Sequence, residues 1–227
     1  PNSDEGLGFV RIDTVNGRIY GYNPVHRIYQ GWGEPAGFSG HFVEELQKKI
    51  SGCGTFAADS LFDASLELGD RPLMGAYVAF EVEAGEEVLV KAASSFVDEA
   101  GAEQNLQAEI PHWNFEQVRR ELTNIWEQRF NLIRVETDDE DALAKFYGAF
   151  YRASFLPRTF NDVVVRYPAF ATGEQVMQVT GEQTYYDDYS LWDTYRALQS
   201  LVNLITPPRG GELMLSLVRK YDQGGWV

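Results

Sequence analysis

Residues 185–196 set tyrosines, a tryptophan, three carboxylates and an arginine within one short run. Trp192, Asp193 and Arg196 carry the groups suited to chemistry. A carboxylate beside an aromatic face suits a sugar, because the carboxylate accepts from hydroxyls while the ring covers the apolar C–H face. Ser190, followed three residues later by Asp193, reads as a capping box, in which hydroxyl and carboxylate satisfy free backbone N–H groups at a helix start. Leu191, Tyr195, Leu198, Val202 and Ile205 then recur at helical spacing, which predicts a helix with one buried face. The competing reading is structural: aromatic-rich helix starts serve as core, and Asp193 can be a cap alone. Adjacent Asp187 and Asp188 point in different directions and are poorly placed to flank one scissile bond, so neither is assigned a catalytic role.

A second candidate is Trp32, in a stretch rich in aromatics and turn formers that also holds His26, Arg27 and Tyr29. Glycines on either side would let backbone approach a ligand, or simply let the chain turn. The densest acidic run, residues 137–141, lacks the glycine and terminal glutamate of a calcium-binding EF-hand loop. It reads instead as the start of a helix, where the dipole favours negative charge. Cys53 is the lone cysteine and only three histidines are present, so no intrachain disulfide or zinc-ligand spacing exists.

The formal net charge of −15, from 19 basic and 34 acidic residues, repels phosphate backbones and argues against nucleic acid as a partner. It is compatible with neutral ligands or cations, and with simple surface solubility. Hydrophobic residues make up 44% of the 227, as in folded domains. No apolar run approaches a membrane span, and the first five residues are no signal peptide. The start is therefore read as processed, engineered or internal to a longer chain.

The first half reads as strands. Residues 9–13 and 18–22 flank Asn16-Gly17, a hairpin signal. Further strands are expected at 38–43, 54–57 and 63–68, and residues 76–82 and 87–93 are expected to face each other as a hairpin across 83–86. A short helix is expected over 98–108. A second, capped by Asn114 with Gln117, carries Phe115, Val118, Leu122, Ile125 and Trp126 on one face. A third follows the acidic run and ends at Leu156-Pro157. Residues 160–180 form a long connection with short strands at 163–165 and 175–179, and loops of that length are usually functional. Pro207-Pro208 breaks the chain, and Met214, Leu217, Val218 and Tyr221 mark the face of a last helix. These helices are too few to close around a core by themselves.

The run 185–197, with Ser190-Leu191-Trp192-Asp193-Thr194, followed by Tyr221-Asp222-Gln223-Gly224-Gly225-Trp226, resembles glycoside hydrolase family 92. Further likeness lies at 22–27, at 103–115, and from Phe146-Tyr147 to Leu156-Pro157-Arg158. The resemblance touches most of the chain in order. It implies an α+β multidomain architecture: the later part of an antiparallel β-sandwich (1–97), a helical linker (98–135), and the first helices of an incomplete (α/α)6 barrel (136–227). It implies a calcium-dependent inverting exo-α-mannosidase acting on mannose-containing glycans, secreted or periplasmic, in which a glutamic acid protonates the leaving oxygen and an aspartate activates water. No counterpart of those catalytic residues is found in this chain, and the calcium ligands are expected outside it. What the chain would supply is pocket wall: Trp192 and Asp193, with Trp32 from the sandwich. The rest of the same polypeptide would complete the barrel, and this part alone would be inactive. The alternatives are a non-catalytic carbohydrate-binding sandwich module and an (α/α)6 glycosidase of other sugar specificity.

Overall fold

The computed structural model describes residues 8–28, 32–171, 175–181 and 183–225, without the side chains of 26–28 and 32–35. The chain opens with β1 (Phe9–Asp13), β2 (Arg18–Ile28), β3 (Trp32–Leu46), β4 (Gly52–Ala57), β5 (Ser60–Asp63), β6 (Glu67–Gly69), β7 (Met74–Ala79) and β8 (Val90–Ser95). Helices α1 (Glu99–Glu109), α2 (Phe115–Phe130) and α3 (Glu140–Ala153) follow. Four short strands come next, β9 (Arg158–Thr159), β10 (Arg166–Pro168), β11 (Val176–Gln178) and β12 (Tyr186–Asp187). Three helices close the sequence, α4 (Leu191–Thr194), α5 (Leu198–Ile205) and α6 (Pro207–Gly224). The fold is α+β, with wholly antiparallel strand pairing among the described residues. It divides into two compact units, Pro1–Trp113 with Asn161–Gln178, and Asn114–Phe160 with Val179–Val227.

In the first unit a five-stranded sheet of order β6-β1-β2-β3-β8 meets a three-stranded sheet of order β5-β4-β7. Successive strand residues face opposite sides, and each side of the larger sheet has its own cover. Val10, Ile19 and Leu46 pack towards Ala76, Val78 and Phe80, which joins the two sheets. Tyr20 and Val43 point the other way, onto Ala102 and Leu106 of α1. Helix α1 begins where Asp98 accepts from the Gly101 amide at 2.6 Å, the expected cap chemistry. Around it, Arg18 reaches Glu45 at 3.3 Å and also pairs with Glu103. Lys91, 7% exposed, lies 3.6 Å from Glu45 and over the Trp113 ring.

A buried carboxylate ties residues 161–178 into this unit. Asp162 is 3% exposed, and it accepts from Ser95 Oγ at 2.9 Å and Asn105 Nδ2 at 3.0 Å. Asn105 Oδ1 accepts in turn from the Val163 amide. Residues 163–165, expected as a strand, form a turn; Val165 has φ +58° and donates to the Asp162 carbonyl.

Other expectations change in form. Residues 76–82 and 87–93 do not pair: β7 is bonded to β4, and β8 to β3. Alternation shows that a strand has a buried face but not which strand lies beside it. The first hairpin closes through residues 14–17, where the Val15 and Asn16 amides donate to Asp13 Oδ1, and only Gly17 of the Asn16-Gly17 pair is left-handed. The 63–68 strand is split into β5 and β6 by a turn, with Ala64 at φ +56°. Pro207 starts a helix rather than blocking one, since the first helical position needs no N–H.

In the second unit, α2 is capped by Asn114, whose side chain accepts from the Gln117 amide at 3.0 Å, and α3 by Asp139, which accepts from the Ala142 amide at 3.0 Å. The predicted apolar face of α2 is not buried: Phe115, Leu122 and Ile125 are exposed, and the helix engages α3 through Trp126 and Phe130. The Trp126 and Tyr151 rings lie 4.5 Å apart. The face of α6 is turned as well. Leu213, Ser216 and Lys220 are buried, while Met214, Val218 and Tyr221 are exposed. Apolar residues at 213, 214, 217, 218 and 221 permit either face, and packing on Tyr186, Tyr189 and Val202 selects one.

Candidate functional site

The site stretch is anchored from below by tyrosines. Strand β12 pairs with β9, Tyr186 opposite Thr159 and Asp187 opposite Arg158. Tyr185, Tyr186 and Tyr189 are all buried, and Tyr186 and Tyr189 form a cluster with Val202 and Leu213. The Tyr189 hydroxyl donates to the Leu213 carbonyl at 2.7 Å, and the Tyr186 amide to Ser216 Oγ at 3.1 Å. Burial pushes both phenols above their ordinary range, so they stay neutral and serve as packing and hydrogen-bonding groups.

Beyond this base the backbone passes through two left-handed residues, Asp188 at φ +59° and Ser190 at φ +43°. Non-glycine residues in that region carry a cost of about 1–3 kcal/mol each and persist where surroundings over-determine them, often at functional sites. The four-residue helix α4 follows at once, and with it Trp192, 86% exposed, and an exposed Asp193. Thr194 points back inward, its Oγ1 donating to the Tyr189 carbonyl at 2.8 Å.

The capping box does not form. Ser190 Oγ donates to Asp193 Oδ2 at 2.8 Å, and Ser190 makes no side-chain bond to backbone. Its left-handed backbone, rather than the extended one a cap needs, accounts for this. Nor is there one continuous helix: α4 stops at Thr194 and α5 resumes at Leu198. Of the predicted buried face, Val202 is buried, while Leu191 and Tyr195 are exposed.

Asp187 and Asp188 are both engaged. Asp187 Oδ1 takes the Lys220 ammonium at 2.8 Å, and Asp188 pairs with Arg158. Lys220, to which the sequence pattern assigns no role, is 2% exposed and lies over the Tyr185 and Tyr189 rings. Its spacing of seven from Leu213 on one helix was the available signal. Arg196 stacks on Tyr195, the guanidinium carbon 5.3 Å from the ring centroid.

Trp192 and Asp193 thus share the second unit. Trp32 opens β3 in the first, and its side chain, like Tyr29 and the His26 and Arg27 side chains, lies outside the described residues. Among the described residues, no three His, Cys, Asp or Glu side chains gather in a way that could hold a metal ion. No described helix is long and apolar enough to cross a membrane.

The profile of the glycosyl hydrolase family 92 catalytic domain matches residues 101–227, which include the whole stretch 185–196. No curated protein matches the chain. Solved structures do. The family GH92 inverting mannosidase of Bacteroides thetaiotaomicron superimposes with a TM-score of 0.86 at 24% identity, over 98% of this chain and 30% of that one. A family GH92 α-mannosidase of the same organism gives 0.82 at 27% identity, over 96% and 28%. A further family GH92 glycosyl hydrolase gives 0.81 at 19% identity, over 97% and 28%. The chain spans less than a third of the length of these relatives. With more than half of its residues inside the catalytic-domain match, the chain belongs to glycoside hydrolase family 92.

Proposed function

We propose that this chain is the part of an inverting exo-α-mannosidase that forms one wall of its sugar pocket, the enzyme removing terminal α-mannose from glycans. The observation that carries the reading is the presentation of Trp192 beside Asp193 on the short helix α4, inside the region matched to the catalytic domain. A ring 86% exposed can cover the C–H face of a mannose. The Asp193 carboxylate, steadied by Ser190, can accept from its hydroxyls. Trp32 is proposed as a second platform. Asp187 and Asp188 are held by Lys220 and Arg158, which supports placing the catalytic acid and base elsewhere in the polypeptide. The domain division at 97 and 135, the barrel, the calcium dependence and the calcium ligands outside this chain belong to the same proposal.

The test is release of mannose from an α-mannobioside by this chain and by the longer polypeptide, with a glucoside as control, beside titration of the chain with methyl α-mannoside followed by tryptophan fluorescence. Release by the longer protein alone is expected. Trp192→Ala or Asp193→Ala should weaken sugar binding roughly tenfold, in keeping with about 1–1.5 kcal/mol for such contacts. Binding untouched by Asp193→Ala would favour a sandwich-only carbohydrate module. Turnover by the chain alone would refute the placement of the catalytic pair, and preference for the glucoside would reassign the sugar.

A further inference from the structure

We propose that Lys220 is the positioning residue for the pocket wall: a buried cation that fixes the path of residues 187–190 and thereby the direction in which Trp192 and Asp193 point. The inference rests on the reading that those two residues face the ligand. Lys220 lies on α6, 2% exposed, on the same face as Leu213 and Ser216. Its ammonium donates to Asp187 Oδ1 at 2.8 Å and sits 4.8 Å from the Tyr185 ring centroid and 6.0 Å from that of Tyr189.

Stability alone does not call for a lysine here. Taking an ammonium out of water costs more than its partner usually returns, and apolar side chains of similar volume fill such a place as well or better. What the charged pair adds is direction. It fixes the Asp187 carboxylate immediately before two left-handed residues, Asp188 and Ser190. Of the other groups that hold this segment, Thr194 Oγ1 donates to the Tyr189 carbonyl, while the Arg158–Asp188 pair is exposed at 57% and 41%, and such exposed pairs contribute little. Tyr189 fixes a ring to the Leu213 carbonyl. Lys220 is the buried charge on this segment, bonded to the Asp187 carboxylate one residue before the first left-handed position.

The experiment compares Lys220→Met/Asp187→Leu with the parent chain by thermal unfolding and by hydrogen–deuterium exchange resolved over residues 189–196. An apolar pair should leave the unfolding midpoint within about 3 °C. The Asp193, Thr194 and Tyr195 amides, which bond to Ser190 and Leu191 carbonyls, should exchange roughly tenfold faster as the turn loosens. Asp187→Asn, at a side chain 33% exposed, keeps an oxygen for the Lys220 ammonium but removes its counter-charge, the costlier change of the two; with its own unfolding midpoint measured to show that it is folded, it should accelerate the same amides. Unchanged exchange in Asp187→Asn, or in a double variant of unchanged midpoint, would overturn the proposal. Titration with methyl α-mannoside completes the set: faster exchange with weaker binding supports both proposals. Faster exchange in a chain whose parent binds no mannoside keeps Lys220 as a positioning residue and rejects the sugar.

Discussion

The Ser190 hydroxyl and the Asp193 carboxylate are bonded to each other, 2.8 Å apart, at the entry to a helix that neither of them caps. Two residues that usually satisfy backbone are here spent on one another, and the carboxylate gains a fixed orientation beside Trp192. Because Ser190 sits at φ +43°, its backbone and its side chain can be separated by mutation. Ser190→Gly loses the bond but relieves the left-handed strain, whereas Ser190→Ala loses the bond and keeps the strain. Ser190→Gly should therefore be the more stable by about 1 kcal/mol, measured by urea unfolding. Equal stabilities would mean that the turn is not strained.

Asp162 provides a second test, because its two donors are buried with it. Asp162→Ala leaves Ser95 Oγ without its acceptor and takes one of two from Asn105 Nδ2, which keeps the Ser94 carbonyl at 2.8 Å, and should cost about 2–4 kcal/mol. Gly101→Ala attacks the same place from the helix: an added Cβ would lie 2.3 Å from Asp162 Oδ2 and 2.7 Å from Ser95 Oγ. Overpacking of that kind costs about 1–3 kcal/mol. Asp162→Ala/Gly101→Ala should be less destabilised than the sum of the two, since removing the carboxylate makes room for the methyl. Additive losses would show that the two sites are independent.

The turned face of α6 yields a direct comparison. Leu213 is fully buried and Met214 is 45% exposed. Leu213→Ala should cost about 2–5 kcal/mol of unfolding free energy, and Met214→Ala less than about 1. The reverse order would restore the face that the sequence pattern first indicated.

Much of the fold was legible because its signals are local. Asn114 caps α2 as its spacing from Gln117 announces, and α1 and α3 begin beside Asp98 and the acidic run as expected, with Asp98 and Asp139 as their caps; period-two alternation marks β1 and β2. What misled was non-local. The strand around Tyr77 shows its buried face clearly, yet nothing in its sequence says that its neighbour is β4 rather than the strand that follows it. The α6 pattern permits two faces, and packing on Tyr186, Tyr189 and Val202 decides between them. At the site, Trp192 and Asp193 were marked by type and spacing. The left-handed backbone at Asp188 and Ser190 was hidden, because neither residue is a glycine and the strain is held by distant partners.

The last prediction concerns acid. Arg166 bonds Asp98 through two N–H groups at 2.9 Å each, and this contact, ahead of the opposing effect of burial, holds the Asp98 carboxyl below its ordinary range. In the unfolded chain that carboxyl titrates at about 4. With the folded value lower, the unfolded state takes up the proton first as pH falls. The stabilisation is therefore complete above about pH 4 and disappears as pH drops through the folded value, while Arg166 stays charged throughout. Asp98→Asn keeps an oxygen for the Gly101 amide and removes the charge that Arg166 recognises. The stability difference between parent and Asp98→Asn should grow as pH falls through the range where His41 takes up its proton, because the Asp98 charge favours the imidazolium, and should shrink below about pH 4, read from urea unfolding at each pH. Salt should reduce it at neutral pH, since the Asp98 side chain is 43% exposed. A difference that stays flat through the acid range would assign the whole effect of Asp98 to its place at the start of α1, and none to the ion pair.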